Sequence, residues 1–246
     1  MANGDGFNMK AIIIAAGMGT RLSGISVDVP KPLTPVKGVP LLERIILTCK
    51  NAGVTEFGFV TGYWGEQLKE YFGDGGSLGV KIDYVYNPEW KKANGISALK
   101  AKELVGGERS FLLLMSDHLF NAGMLKGMID NPDNTNLLAI DANIDGIFDL
   151  PDATKVNTMR DRIVGIGKEI PLYNGIDCGM FRLKQNFFGA MEKGVSEGRD
   201  QLSNGIEELI LMGDFKAHFI GGGSKWLDVD TEAAFAYAEA NIGMFG

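Results

Sequence analysis

The sequence predicts an α/β protein: an open, mostly parallel but mixed sheet with helices on both faces. Three observations carry that prediction. Lys10-Ala-Ile-Ile-Ile-Ala-Ala16 is a continuous apolar run ending in Gly17-Met18-Gly19, the pattern of a strand buried on both faces. Strand-like and helix-like segments then alternate at βαβ spacing as far as Met115. Beyond it, short strands with short connections take over, so the second half mixes parallel and antiparallel pieces.

The elements follow in order. Pro40 to Ala52 places Leu41, Leu42, Ile45, Ile46 and Cys49 on one helical face, with Pro40 near its start and Gly53 after it. Glu56 to Thr61 is a strand, Gly65 to Phe72 a helix stopped by Gly73-Asp74-Gly75-Gly76, and Val80 to Tyr86 a strand closed by Asn87-Pro88. Ile96 to Leu104 is a helix and Ser110 to Met115 a fourth buried strand. Asn136 to Asp141, Ala153 to Thr158, Arg162 to Gly167 and Asp177 to Leu183 read as strands, with a hairpin turn at Met159-Arg160-Asp161. Gln185 to Val195 and Ile206 to Met212 are helices. Lys216 to Ile220 and Lys225 to Val229 are strands around Gly221-Gly222-Gly223, and Thr231 to Asn241 is a closing helix. Its alanines and Tyr237 form a small-residue face suited to packing on the sheet.

The 246 residues contain no repeat and no linker, so 10–246 reads as one domain behind a flexible N-terminus over 1–9. Residues 10–118 form its first half and 119–246 its second. Apolar residues at 45% and charged residues at 22% exclude a disordered chain, a collagen-like repeat and a coiled coil. A net charge of −7, without a basic stripe, argues against nucleic-acid binding. An anionic ligand must therefore be held by a local site. Two cysteines, Cys49 and Cys178, read as core residues and make no disulfide framework or zinc motif. With no apolar signal core and no run long enough to span a bilayer, a cytoplasmic setting without direct membrane binding is expected.

Gly17-Met-Gly-Thr20-Arg21-Leu22 follows the first strand, where glycines let backbone N–H groups, from Ala15 onward, approach a phosphate. A dinucleotide fingerprint needs a third glycine where Leu22 stands, and an acidic residue where the second strand ends in Thr61-Gly62. A Walker A loop needs Gly-Lys-Ser/Thr, which is absent. What remains is a loop with its own Arg21, followed by Lys31 in Val29-Pro-Lys-Pro-Leu33. Pro30 and Pro32 deny that segment a helix and stiffen it, aiming Lys31.

Phe111-Leu-Leu-Leu-Met-Ser-Asp117-His118 sets Asp117 at the end of the fourth strand, where open α/β sheets place ligands. Mg2+ takes carboxylate oxygens and keeps several waters, so one or two aspartates plus substrate phosphates suffice. Trp226-Leu-Asp228-Val-Asp230 offers two more at i and i+2, which share a face if extended. Which of Asp228 and Asp230 binds metal stays open, and Asp230 also stands where it can cap the closing helix. His118, directly after Asp117, is read as supporting the site and not as a general base.

Lys92-Ala-Asn94-Gly95-Ile-Ser97 opens a helix after the third strand. Gly95 admits a flat ring to the backbone, and Asn94 or Ser97 can bond a base or ribose as well as cap the helix. Asp149, Thr154, Lys155, Lys168, Asn174 and Asp177, with Gly179 and Lys225, supply polyol- and phosphate-binding chemistry in the second half. A choline-like acceptor needs an aromatic cage, and Tyr173 alone near these motifs does not make one.

Ala15-Ala-Gly-Met-Gly-Thr-Arg-Leu22 followed by Pro30-Lys-Pro-Leu33 resembles the signature of the sugar-phosphate nucleotidyltransferases. The fold implied is the Rossmann-like, glycosyltransferase-A-like fold of that family. Its loop wraps the phosphates of a nucleoside triphosphate; Arg21 would match the grip on the β and γ groups. Lys31 would match the lysine bridging the α-phosphate and the incoming phosphate. Asp117 resembles the first metal aspartate and Asp228 the second. Hexose-phosphate members commonly have glycine where Asp230 stands. Lys-x-Asn-Gly-x-Ser, Asp152-Ala-Thr-Lys155-Val, Ile166-Gly-Lys168 and Asp177-Cys-Gly179 resemble the inositol-phosphate cytidylyltransferases in particular.

The resemblance implies Mg2+-dependent transfer from CTP to an alcohol phosphate, with inositol 1-phosphate the leading acceptor, giving a CDP-alcohol and pyrophosphate. A downstream membrane CDP-alcohol phosphotransferase is the partner it implies. Hexose-1-phosphate uridylyl-, thymidylyl- or guanylyltransferase and a phosphocholine-type cytidylyltransferase are the alternatives. From other classes, a nicotinamide oxidoreductase and a silent nucleotide or sugar-phosphate sensor remain open.

Overall fold

A computed structural model describes residues 9–19 and 29–245. The strands are β1 (Ala11–Ala15), β2 (Pro35–Val36), β3 (Val39–Pro40), β4 (Glu56–Thr61), β5 (Lys81–Tyr86), β6 (Ser110–Met115) and β7 (His118–Phe120). There follow β8 (Asn136–Asp141), β9 (Lys155–Met159), β10 (Arg162–Gly167), β11 (Gly175–Lys184), β12 (Phe215–Phe219) and β13 (Trp226–Asp228). The helices are α1 (Leu41–Asn51), α2 (Gly65–Phe72), α3 (Asn94–Lys100), α4 (Lys102–Val105), α5 (Ala122–Asp130), α6 (Asn186–Ser196), α7 (Leu202–Leu211) and α8 (Glu232–Asn241).

Nine of these strands form one sheet in the order β5-β4-β1-β6-β11-β8-β12-β10-β9. The first four are parallel; β11 pairs antiparallel with β6 and β8, so the same sheet runs through both halves of the chain. Alternate residues of β1 and β6 explain the two helical layers. Ile13 and Leu112 face a core shared with α1, α2, α5 and α8. Ile12 and Leu113 face the core of α3, α4, α6 and α7. Cys49 and Cys178 are buried free thiols, as their apolar settings predict.

Several expectations need correction. Met9, placed in the flexible N-terminus, is buried in the first core; residues 1–8 lie outside those described. The single helix expected over 96–104 is two, divided at Ala101, whose N–H reaches Ser97 and Ala98 only at 3.3 Å. β7 and α5 went unpredicted. Three residues carry no periodicity, so β7 exists only through its partner β13. α5 had a readable signal in Met124, Leu125 and Met128 behind the Asn121 cap, whose side chain accepts the Met124 N–H. The alanines of α8 do not form one packed face: Ala234 and Ala238 are buried, while Ala233, Ala236 and Ala240 are exposed.

Two details tie the frame together near the strand ends. Arg182 of β11 is buried and donates to the carbonyls of Met128 (2.9 Å), Asn131 (2.7 Å) and Asp133, closing the C-terminal end of α5. Along the same strand the register with β8 shifts between Asp177 and Phe181. This bulge contains Gly179, at φ +69°.

Candidate active site

β1 and β6 end side by side in parallel register, Ile14 opposite Met115. Chain leaving their C-terminal ends reaches the crevice where such sheets hold ligands. Lys31 enters it from the Pro30-Lys-Pro32 segment. The prolines were expected to exclude a helix; a single 3-10 turn, Lys31–Leu33, forms instead. Pro32 sits in the first turn, where a missing N–H costs no helical bond. Gly19, at φ +68°, passes directly over Lys31, and a Cβ there would strike the lysine's own Cβ. Gly17 has no such constraint.

Lys31 Nζ donates to Asp117 Oδ2 at 2.7 Å and to Asp230 Oδ1. The second contact exists because β13 lies antiparallel to β7, with Asp228 opposite His118, and the Val229 N–H donates to the Asp117 carbonyl at 3.0 Å. The aspartates of two distant segments thus meet. Asp230 does not cap α8; Thr231 does, accepting the Ala234 N–H.

His118 Nδ1 lies 2.8 Å from Asp117 Oδ1 and 3.8 Å from Asp228 Oδ1, and its ring stacks on Trp226. Gly179 makes room for it, since a Cβ there would run into the imidazole. His118, read as supporting the site, stands between Asp117 and Trp226. Asp177 Oδ1 accepts the Gly179 N–H at 2.7 Å, fixing the bulge.

The charges are strongly interdependent. Burial opposes the charge on Lys31, but Asp117 and Asp230 raise its pKa overall. Burial also works against ionised Asp117, yet Lys31 and His118 hold it far below the usual carboxylate range. For His118, burial is outweighed by Asp228, Asp117 and Asp177, pushing it up to about 9. Burial, joined by Asp117 and Asp230, pushes Asp228 up to about 6 against the pull of His118. Asp177 rises to about 6 through burial.

Asp228 Oδ1 is buried without a hydrogen-bond partner. One ligand atom each from Asp117, His118 and Asp228 lies within 4.8 Å of the others. An orphaned carboxylate oxygen beside a second carboxylate is the donor set a hard divalent cation takes. Asp230, engaged by Lys31, is the less available of the pair.

Two cavities meet here. A smaller one of about 310 Å³ is lined by Ala15, Gly17, Gly19 and Lys31. A larger one of about 710 Å³ is lined by Thr154, Lys168, Asp177, Gly179 and Lys225, with Asp149 and Asp228. Met115, Asp117 and Asp230 belong to both. Thr20 and Arg21 lie outside the described residues.

Three expected groups line neither cavity. Lys155 is buried and donates to the Pro151 carbonyl at 3.0 Å. Asn174 is occupied with the Thr158 backbone and hydroxyl. Asn94-Gly95-Ile-Ser97 packs elsewhere. Asn94 accepts the Leu202 N–H at 3.0 Å, a Cβ on Gly95 would meet the Asp200 and Gln201 backbone, and Ser97 accepts from Asn87. None of them caps α3, whose N-cap is Ala93. Phe148, Tyr237 and Asp141, which accepts the Trp226 indole N–H at 3.0 Å, line the larger cavity and were missed. Phe148 sits in an irregular loop with no periodicity, and Tyr237 was assigned to a packing face.

Comparison with known proteins bears on this arrangement. The Nucleotidyl transferase family model matches residues 10–143. A bifunctional IPC transferase and DIPP synthase of Archaeoglobus fulgidus is 31% identical over 225 residues, 91% of this chain and 42% of the relative. The bifunctional protein GlmU of Methanococcus maripaludis is 31% identical over 234 residues, 90% of this chain and 51% of the relative. The chain spans about half the length of the curated relatives it matches. The solved inositol-1-phosphate CTP transferase from T. maritima superposes with a TM-score of 0.85 at 26% identity, over 97% of this chain and 96% of that one. A Bacillus anthracis structure described as a putative glucose-1-phosphate thymidylyltransferase, at 18% identity and a TM-score of 0.80, shares the fold.

Proposed function

The chain belongs to the nucleotidyl transferase family, and from that premise we propose that it joins CTP to inositol 1-phosphate, releasing pyrophosphate. The observation that carries this reading is the shared wall of the two cavities: Asp117 and Asp230 line both, and Lys31 bridges them. A nucleotide's phosphates in the glycine-lined cavity and an acceptor phosphate in the larger one come together at that wall. The inositol-1-phosphate CTP transferase likeness over nearly the whole chain supports the choice of base and acceptor.

An oxygen of the acceptor phosphate attacks the α-phosphorus of CTP. A P–O–P bond forms to the acceptor, the bond from the α-phosphorus to the β-bridging oxygen breaks, and pyrophosphate leaves with that oxygen. The acceptor oxygen is already anionic, so no side chain needs to remove a proton. The protein's work is positioning and charge neutralisation. Lys31 sets one buried positive charge where two phosphates converge. The backbone at Gly17 and Gly19 offers N–H groups to the nucleotide, and Arg21 is assigned to the departing pyrophosphate by the family resemblance. Lys168 and Lys225 offer cations to the acceptor side. Asp117 and Asp228 would hold Mg2+, which would supply a further positive charge to offset the negative charge of the α-phosphate. His118 orients the Asp117 carboxylate.

A second reading, transfer to a hexose 1-phosphate, is the alternative that the resemblance leaves open within the same family. Product analysis by 31P NMR separates the two. The first reading predicts CDP-inositol and pyrophosphate in equal amounts from CTP and inositol 1-phosphate. Exclusive formation of a nucleotide sugar from UTP or dTTP and glucose 1-phosphate would favour the second.

A further inference from the structure

The larger cavity contains a feature that the phosphate chemistry of nucleotidyl transfer does not use. Phe148, on the loop after β8, and Tyr237, on α8, touch with ring centroids 5.1 Å apart and planes tilted by 48°. Both line the cavity, and both stay open despite their contact: Phe148 is 45% exposed and Tyr237 39%. The same cavity is lined by Asn143, Asp149, Asp152 and Asp177, with Lys168 donating to Asp152 at 2.5 Å. A cavity lined by open aromatic rings and by several carboxylates offers two kinds of chemistry. It suits a ligand with an apolar face and a polar rim.

We propose that Phe148 and Tyr237 form the seat for the acceptor's ring and set its specificity for a cyclic polyol phosphate. The assignment rests on the nucleotidyl transfer reading. A six-membered polyol carries C–H bonds on its faces and hydroxyls around its edge. Its face covers the two aromatic rings, removing apolar surface from water. Its edge hydroxyls donate to the carboxylates of Asp149, Asp152 and Asp177. The phosphate then lies toward Lys31, at the wall shared with the nucleotide cavity. A quaternary ammonium needs enclosure by several ring faces. Of the other aromatic side chains lining this cavity, Phe245 is buried, and Trp226 is half-buried, with His118 on one face and its N–H on Asp141. The two open rings form a wedge, not a cage.

Steady-state kinetics of Phe148→Ala, Tyr237→Ala and the ring-retaining Phe148→Tyr and Tyr237→Phe test this, with acceptor and CTP varied separately. A stacked ring is worth about a tenfold change in affinity. Each alanine variant is therefore expected to raise KM for inositol 1-phosphate about tenfold, with KM for CTP and kcat nearly unchanged. The ring-retaining variants should behave like the unaltered enzyme. Alanine variants with unaltered acceptor KM, alongside an active parent enzyme, would overturn the ring seat and leave the nucleotidyl transfer reading intact. Preference of the parent enzyme for phosphocholine over polyol phosphates would overturn it in favour of a cation seat. A parent enzyme silent with every acceptor would overturn the functional reading, and this inference with it.

Discussion

Lys31 Nζ lies 2.7 Å from Asp117 Oδ2, a pair joined across 86 residues of chain. Each partner is useful in the ionised state the other enforces. The lysine must stay cationic where phosphates meet, and the aspartate must stay anionic where a cation is to bind.

Removing the lysine therefore exposes two effects. Lys31→Ala is expected to lower kcat at least a hundredfold with little change in the KM for CTP, since its partner charge grows as the phosphates converge. It also leaves half-buried Asp117 and Asp230 without their cation, a cost below the roughly 3–5 kcal/mol of breaking a fully buried pair. In calorimetry, Mg2+ should recover more of the lost Tm in this variant than it adds to the unaltered protein. An equal Mg2+ response in both would show that the cation does not bind at these carboxylates.

The two aspartates after Trp226 should separate. Asp228→Asn removes the orphaned oxygen's charge and is expected to cut kcat a hundredfold or more while raising the Mg2+ requirement. Asp230→Asn keeps a hydrogen-bond partner for Lys31 and should cost less. A milder loss at position 228 than at 230 would exchange the two assignments.

His118 titrates with a folded pKa of about 9, above its ordinary value near 6.5. Protonation is thus favoured in the native state. The stability it contributes is complete below pH ~6.5 and is lost as pH rises through about 9. In metal-free buffer, Tm should fall over that window, and His118→Asn should flatten the fall. An identical pH profile in the variant would assign the limb to another group.

Gly179→Ala forces a side chain into the left-handed region, a strain of about 1–3 kcal/mol, and drives its Cβ into the His118 ring. Denaturant unfolding should show a lower midpoint, and Mg2+ affinity should weaken with it. By contrast Arg182→Met strips charged donors from the Met128, Asn131 and Asp133 carbonyls. It is expected to cost about 2–3 kcal/mol without changing Mg2+ affinity in the folded fraction.

The first half of the sheet was legible because its strands are apolar on both faces and its helices have clear periodicity: β4, α2 and β6 fall at the residues the pattern marks. Gly17, Gly19 and Asp117 were legible as candidates because they follow strand ends, and Lys31 because two prolines frame it. Asp228 was readable as a candidate, but its pairing with His118 was not, because β7 and β13 are three-residue strands visible only to each other. Asn94, Gly95 and Ser97 read toward a nucleobase because groups that suit a base equally suit the packing they make here, Asn94 and Gly95 against the start of α7 and Ser97 with Asn87. The aromatic wall was illegible: Phe148 and Tyr237 become neighbours only when α8 folds back beside the loop after β8.

Pyrophosphate release across a matrix of nucleoside triphosphates and acceptor phosphates, run with the parent enzyme and Asp117→Asn, tests the central claim most directly. Rapid release is expected with CTP and inositol 1-phosphate together, none with either alone, and a drop of at least a hundredfold in the variant. Release from CTP without an acceptor, or full activity in Asp117→Asn, would contradict transfer at the junction of the two cavities.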